Sequence, residues 1–310
     1  MRKRGTNAWH FSIIALLLRE MRQLINYIKR ELQACVEDDE LTTITKALCC
    51  EVLGIEEYAW YLREPVSLTD NQVALLGQAI TRLKGGEPLQ YVLGTAPFAG
   101  LTFSVDSHVL IPRPETAGLV QFVAEERPSK ILDMGTGSGC IAIALAHRLP
   151  TAEVFACDLS DEALHAAANN AADNQVHITF TPCNLLDADA ASASPKGCDC
   201  FVSNPPYIRR VERHFMEERV TEWEPSQALF VPDDDPLLFY RAIARIGQTD
   251  VLRPGGQIAV EINQLFGSET CILFSLYGYE EVRLRFDLFG QPRYVTCRKP
   301  TSSEPQSVLH

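Results

Sequence analysis

The sequence predicts an α/β protein in which a doubly wound, mostly parallel sheet of seven strands follows a small helical bundle. Three observations carry this. From residue 130 onward, short β-prone apolar runs alternate with helical stretches, as in a sheet covered on both faces. Between residues 21 and 86 the apolar residues instead recur at three- and four-residue spacing, which is a helical period. One strand-to-helix junction, Gly135-Thr136-Gly137-Ser138-Gly139, is a glycine loop that lets a ligand approach the backbone.

The elements follow in order. Residues 1–20 contain Arg2-Lys3-Arg4 and an apolar run of eight residues from Phe11 to Leu18. That run is too short to span a bilayer. The segment reads as an N-terminal extension, with an organelle-targeting presequence as the alternative. Residues 21–86 are expected to form a small helical bundle: Leu24, Ile25, Ile28 and Leu32 make one core stripe, and Ile44, Leu48 and Leu53 another. Thr69-Asp70 caps a helix through Val73, Leu76, Ile80 and Leu83 that Gly85-Gly86 closes. Residues 87–112 are expected to be a hairpin linker, with strands at 89–93 and 101–105 separated by Gly94, Pro97 and Gly100.

A larger domain spans residues 113–300. Its strands are expected at 130–134, 153–158, 176–180, 198–203, 256–262, 279–286 and 292–298, the last two as an antiparallel edge pair. Its helices are expected at 115–126, 138–148, 160–172, 236–250 and 267–277. The polar stretch 301–310 reads as a disordered tail.

Composition excludes several classes. The net charge of −12 argues against a broad phosphate-binding surface, so no direct nucleic-acid partner is expected. Ten cysteines include no CxxC pair, so no metal is expected and a reducing cytoplasm is the expected compartment. No segment reads as a membrane span, and a monomer is expected.

The glycine loop discriminates by its spacing. A dinucleotide fingerprint would need glycine at 140 or 142, which are Cys140 and Ala142. The pattern from Asp133 is Asp-x-Gly-x-Gly-x-Gly, which resembles motif I of the S-adenosylmethionine-dependent methyltransferases. The next strand ends in Asp158, which beside this glycine loop is read as accepting the ribose hydroxyls of an adenosyl ligand, with capping of the following helix as the alternative.

The run from Cys198 to Ser203 ends at Asn204-Pro205-Pro206-Tyr207. Two prolines cannot continue a sheet ladder, and the first holds Asn204 extended at the strand's carboxyl end. Asn204 and the Pro205 carbonyl offer two acceptors for a planar NH2 group, and Tyr207 an aromatic face. Such a nitrogen is a poor nucleophile until it is oriented and pyramidalised, which is what these acceptors favour.

With these motifs in hand, the chain resembles the release-factor glutamine methyltransferase family over about residues 21–300. The resemblance is carried by Gln90 to Gly94, Phe98 to Phe103, Ile111 to Thr116, Asp133 to Gly139, Asn204 to Ile208, Pro254 to Gly256 and Glu261-Ile262. It implies a seven-stranded class I methyltransferase (Rossmann-like) domain, S-adenosyl-L-methionine as cofactor, and peptide chain release factors as protein partners gripped by the helical domain. By position, Gly135, Thr136, Gly137, Ser138, Gly139, Asp158, Leu185 and Asn204 would contact the cofactor. Asn204, Pro205, Pro206 and Tyr207 would hold the target glutamine, and Arg113 and Glu115 would line the site.

The chain departs from the family pattern at Ala117, where a second acid is usual, at Asn263, where glycine is usual, and at Asn184, where many relatives carry aspartate. The first two leave the network around Arg113 open. The rival readings are an adenine-N6 methyltransferase acting on DNA or RNA, since Asn-Pro-Pro-Tyr is shared with those enzymes, and a non-catalytic methyltransferase-fold binding module.

Overall fold

The computed structural model describes residues 20–301; the expectations for residues 1–19 and 302–310 lie outside them. The chain divides into two units, one reaching to Gly94 and including Glu218–Trp223, the other comprising Thr95–Glu217 and the remainder from Glu224.

The first unit is helical. Met21–Leu32 turns Met21, Leu24, Ile25, Ile28 and Leu32 inward, onto a core with Leu48, Trp60, Leu76 and Ile80. Asp70–Lys84 starts at a capping box: Thr69 Oγ1 accepts the Gln72 amide while the Gln72 side chain accepts the Thr69 amide, which satisfies two otherwise free donors. The run Leu89–Leu93, expected as a strand, is a short helix instead. Pro88 precedes it, Gly94 ends it at φ +76, and the Arg82 guanidinium donates to the Tyr91 and Val92 carbonyls at 2.9 and 3.1 Å. The chain later returns to this unit as helix Glu218–Trp223, where Arg219 meets the Glu40 carboxylate with both terminal nitrogens, at 2.8 and 2.9 Å.

The hairpin therefore begins later than expected. Strands β1 (Thr95–Phe98) and β2 (Leu101–Ser104) pair antiparallel around Ala99-Gly100. Both turn residues have positive φ, +51 and +87, the twist that two-residue hairpins require.

The second unit is built on seven strands: β3 (Lys130–Met134), β4 (Glu153–Asp158), β5 (Thr179–Pro182), β6 (Cys198–Ser203), β9 (Leu252–Glu261), β10 (Glu280–Phe286) and β11 (Pro292–Arg298). Two short strands, β7 (Ile208–Arg209) and β8 (Phe230–Val231), pair separately. The sheet order is β10-β11-β9-β6-β3-β4-β5. β6, β3, β4 and β5 run parallel to one another and to β9, whereas β11 is antiparallel to both its neighbours. This is the expected doubly wound sheet with its antiparallel edge pair.

Two strands differ from expectation. β5 starts three residues late because Gln175 takes a left-handed turn (φ +57) after the preceding helix. β9 starts at Leu252, and its register with β6 shifts where Pro254-Gly255 bulges. Leu132, Phe201, Ile258 and Val260 are fully buried within the sheet.

The order reverses between β3 and β6, since the chain builds outward through β4 and β5 and then crosses back. Ligands bind at such a switch point, outside the carboxyl ends of the strands. Across it, the Ser203 hydroxyl donates to the Met134 carbonyl at 2.5 Å, tying the end of β6 to the end of β3. No helix among the described residues is long and apolar enough to cross a membrane.

Candidate active site

A cleft opens at that switch point. One wall is the loop between β3 and helix Cys140–Arg148. Gly135, Gly137 and Gly139 all take positive φ, +74, +54 and +82, a region that side chains disfavour. Their surroundings differ. A methyl group built on Gly135 or Gly137 would meet nothing within 4 Å, whereas one on Gly139 would lie 2.9 Å from Ile143 Cδ1 and 3.0 Å from Ala167 Cβ. The first two glycines leave space for a ligand; the third lets the helices pack. Gly139 accordingly stands outside the cleft lining, while Gly135, Thr136, Gly137 and Ser138 belong to it.

The loop is fastened from beneath. Gly135 and Thr136 amides donate to the Cys157 carbonyl, Gly139 to the Thr136 carbonyl, and Gly137 to Asp158 Oδ2 at 2.8 Å. Those donors are spent on the protein itself, with a carboxylate beside them, so the loop is not a phosphate cradle of the dinucleotide or P-loop kind. Asn170, fully buried, donates to the Ser138 and Ser104 carbonyls at 2.9 and 3.0 Å. Asp133 lies below: Oδ2 accepts from Thr136 Oγ1 at 2.7 Å and from the Ala142 amide at 3.2 Å. Burial pushes its carboxyl up to about 7.

Asp158 ends β4 and lines the cleft. Each oxygen accepts one backbone amide, Gly137 and Ser160 (3.0 Å), which leaves acceptor capacity for a diol. The helix that follows is capped by Ser160, not Asp158. Leu185 also lines the cleft, and so does Asn184. The Asn184 amide is occupied locally, donating to Asp187 at 2.8 Å and accepting the Leu186 amide at 3.1 Å.

These features fit S-adenosyl-L-methionine: unfilled space over two glycines, a carboxylate at the second strand end, and apolar walls at Leu185 and Ile141.

On the opposite side, Asn204, Pro205 and Pro206 line the cleft at the end of β6. Asn204 Nδ2 donates to Thr116 Oγ1 at 3.2 Å, and Thr116 Oγ1 donates to Glu261 Oε2 at 2.6 Å. Tyr207 Oη donates to Glu261 Oε1 at 3.0 Å. Thr116 and Glu261 are 2% and 1% exposed, while Asn204 and Tyr207 are half-buried. Desolvation raises the Glu261 carboxyl, against the opposing pull of Thr116, Tyr207 and Arg293; burial and the Glu261 charge raise the Tyr207 phenol.

Tyr207 and Glu115, expected at the cleft, stand outside its lining. The Tyr207 ring packs on the core and its hydroxyl is held by Glu261. Glu115 precedes helix Thr116–Glu125, and its carbonyl accepts the Tyr294 hydroxyl.

Arg113 does line the cleft. Its partner is Glu224, at 2.7 Å, and neither Ala117 nor Asn263 enters that pair. Asn263 donates to the Tyr207 carbonyl at 3.2 Å and to Glu212 Oε2 at 3.1 Å, bracing the loop beyond the prolines.

Sequence reasoning missed the roles of Thr116, Asn170, Glu224 and Glu261. Thr116 and Glu261 lay inside strings quoted for the resemblance, but nothing in their spacing links residues 145 positions apart.

The methyltransferase small domain family matches residues 114–222, and the PrmC N-terminal domain family matches residues 23–94. The chain is 41% identical over 281 residues to a release factor glutamine methyltransferase of Bacteroides thetaiotaomicron, covering 90% of this chain and all of that one. It is 43% identical over 241 residues to that of Flavobacterium psychrophilum, covering 76% of this chain and 83% of the relative. The catalytic domain of hMettl16 shares the fold, with a TM-score of 0.51 at 14% identity over 78% of this chain and 86% of that chain. The chain belongs to the release factor glutamine methyltransferase family.

Proposed function

We propose that the protein transfers a methyl group from S-adenosyl-L-methionine to the side-chain amide nitrogen of a glutamine in peptide chain release factors. The observation that carries this reading is the Asn204 side chain, which lines the cleft at the end of β6 and gives its NH2 to Thr116. Family membership supports the choice of acceptor. The net charge of −12 disfavours DNA or RNA as the acceptor.

S-adenosyl-L-methionine, when bound, supplies an electrophilic methyl carbon. The chain's own residues supply position and polarity. Asp158 would accept the ribose hydroxyls, Leu185 would pack on the base, and Gly135 to Ser138 would form the floor. Asn204 Oδ1 and the Pro205 carbonyl accept the two N–H bonds of the incoming glutamine and turn its nitrogen lone pair toward the cleft. Both acceptors gain strength as that nitrogen becomes positive, so they favour the transition state over the planar amide. Pro205 has no N–H to compete with them. Holding the reactants in line supplies on the order of 7–11 kcal/mol in well-oriented systems. The surplus proton leaves the nitrogen after transfer, so no strong base is needed in the site.

The helical unit is assigned to gripping the release factor, which suits the exposed Tyr58, Tyr61 and Leu62 on helix Glu57–Leu62. The ten cysteines, all free thiols, suit a reducing cytoplasm. The test is mass spectrometry of a release factor incubated with protein and cofactor. One added methyl on a glutamine is expected; label found only in nucleic acid would overturn the reading.

A further inference from the structure

We propose that Glu261, acting through Thr116, is a positioning residue that sets which end of the Asn204 amide faces the acceptor. The two ends of an asparagine amide are nearly isosteric, so packing alone selects poorly between them. Hydrogen-bond polarity selects well. Both Glu261 oxygens receive hydroxyls, from Thr116 and from Tyr207, so this carboxyl group acts here as an acceptor. Thr116 has one hydroxyl hydrogen, and the 2.6 Å bond gives it to Glu261 Oε2. The Thr116 oxygen is then left as an acceptor, so Asn204 must present its NH2 there, as it does at 3.2 Å. Asn204 Oδ1 is thereby turned away from Thr116.

The other Glu261 oxygen takes the Tyr207 hydroxyl, so one carboxylate holds Tyr207 directly and Asn204 through Thr116. Glu261 is fixed in turn. It ends β9, its backbone pairs with Tyr294 of β11, and its carbonyl accepts the Tyr240 hydroxyl at 3.2 Å.

A neutral glutamine at position 261 has the same shape but can donate. It could offer an N–H to Thr116, whose hydrogen would then turn to Asn204 Oδ1 and reverse the amide. The proposal rests on the role given above to Asn204, and its test separates the two.

The test compares Glu261→Gln, Thr116→Val and Thr116→Ser with wild type. It measures kcat and KM for the acceptor, cofactor Kd by calorimetry, and hydrogen exchange of the Asn204 side-chain NH2 by NMR in the ligand-free protein. Glu261→Gln and Thr116→Val are expected to lower kcat about a hundredfold, the scale of losing one oriented polar group. Cofactor Kd should stay within about threefold, and the Asn204 NH2 should exchange faster. Thr116→Ser, which keeps the hydroxyl, should recover most of what valine loses.

A kcat within about threefold of wild type in Glu261→Gln, or unchanged NH2 exchange, overturns the proposal. So does serine performing no better than valine. If Glu261→Gln fails to fold, the valine and serine pair decides. If wild type labels no release factor, the substrate reading fails; the variants are then compared on whichever NH2 acceptor it does label, and the NMR result needs no acceptor at all.

Discussion

Arg113 Nη2 donates to Glu224 Oε1 at 2.7 Å, and the second oxygen of that carboxylate accepts the Ile111 amide at 3.2 Å. Glu224 is 5% exposed and directly precedes Pro225, Gln227 and Ala228, which line the cleft with Arg113. One buried carboxylate therefore pins two cleft segments 111 residues apart. Arg113→Ala leaves that carboxylate without its cation. Breaking a fully buried pair costs roughly 3–5 kcal/mol; with the arginine side chain one-third exposed, a loss of about 1–3 kcal/mol is expected. Denaturant unfolding of the variant measures it, and a loss below about 0.5 kcal/mol would show that the pair does not hold the walls.

Asn204→Ala is expected to lower kcat more than a hundredfold while cofactor Kd changes by less than about threefold. Its carbonyl acts on a charge that develops only during transfer, and the cofactor keeps Asp158 and the glycine loop. Single-turnover labelling with calorimetry on the same preparation checks both halves. Retained turnover would remove Asn204 from the chemistry.

How far the sequence could be read depended on the range of the interaction. The proline-terminated β6 and the Asp133 to Gly139 loop were legible because each is a local rule about backbone geometry. Leu89–Leu93 was misread although Pro88 and Gly94 are helix punctuation; Tyr91 and Val92 suggested a strand, and the Arg82 guanidinium that donates to their carbonyls is a tertiary partner. Glu224 and Glu261 look like ordinary acids in sequence. Their burial is a property of the sheet edge and the chain crossing, which no periodicity reports.

Asp158→Ala is expected to weaken cofactor binding by about 10- to 100-fold, the range of losing a hydrogen bond to a charged group. It also frees the Gly137 and Ser160 amides that this carboxylate accepts, so some of the loss comes through the loop. At saturating cofactor, kcat should fall much less than Kd rises. Titration calorimetry beside steady-state kinetics distinguishes this from a catalytic role, in which kcat would fall first.

Gly139→Ala is expected to destabilise the protein by about 1–3 kcal/mol, the usual range for overpacking. The added methyl would meet Ile143 and Ala167 at 2.9 and 3.0 Å while the backbone sits at φ +82. In a domain of this size that lowers Tm by a few degrees per kcal/mol. Gly137→Ala meets no atom within 4 Å, so its penalty is backbone strain at φ +54 plus lost cofactor affinity. The two variants should therefore separate, with the first weaker in Tm and the second weaker in Kd.

Asp133 is completely buried, and desolvation raises its carboxyl from an ordinary 3.8 to about 7, with the nearby Asp158 charge adding to the rise and Thr136 and the Ala142 amide opposing it. The folded protein thus holds this proton more tightly than the unfolded chain does. Its contribution to stability is fully present below about 4 and is lost as pH rises through about 7. Asparagine has no such proton, so Asp133→Asn lacks this slope. Carboxyls held low by partners, such as Glu40 beside Arg219 and Asp199 beside Arg253, act in the opposite sense and equally in both proteins. The difference in Tm, variant minus wild type, should therefore climb between about pH 4 and 7 and level off above. Thermal unfolding at several pH values in one buffer series measures it, and a flat difference would mean that Asp133 ionises in the fold as easily as it does in water.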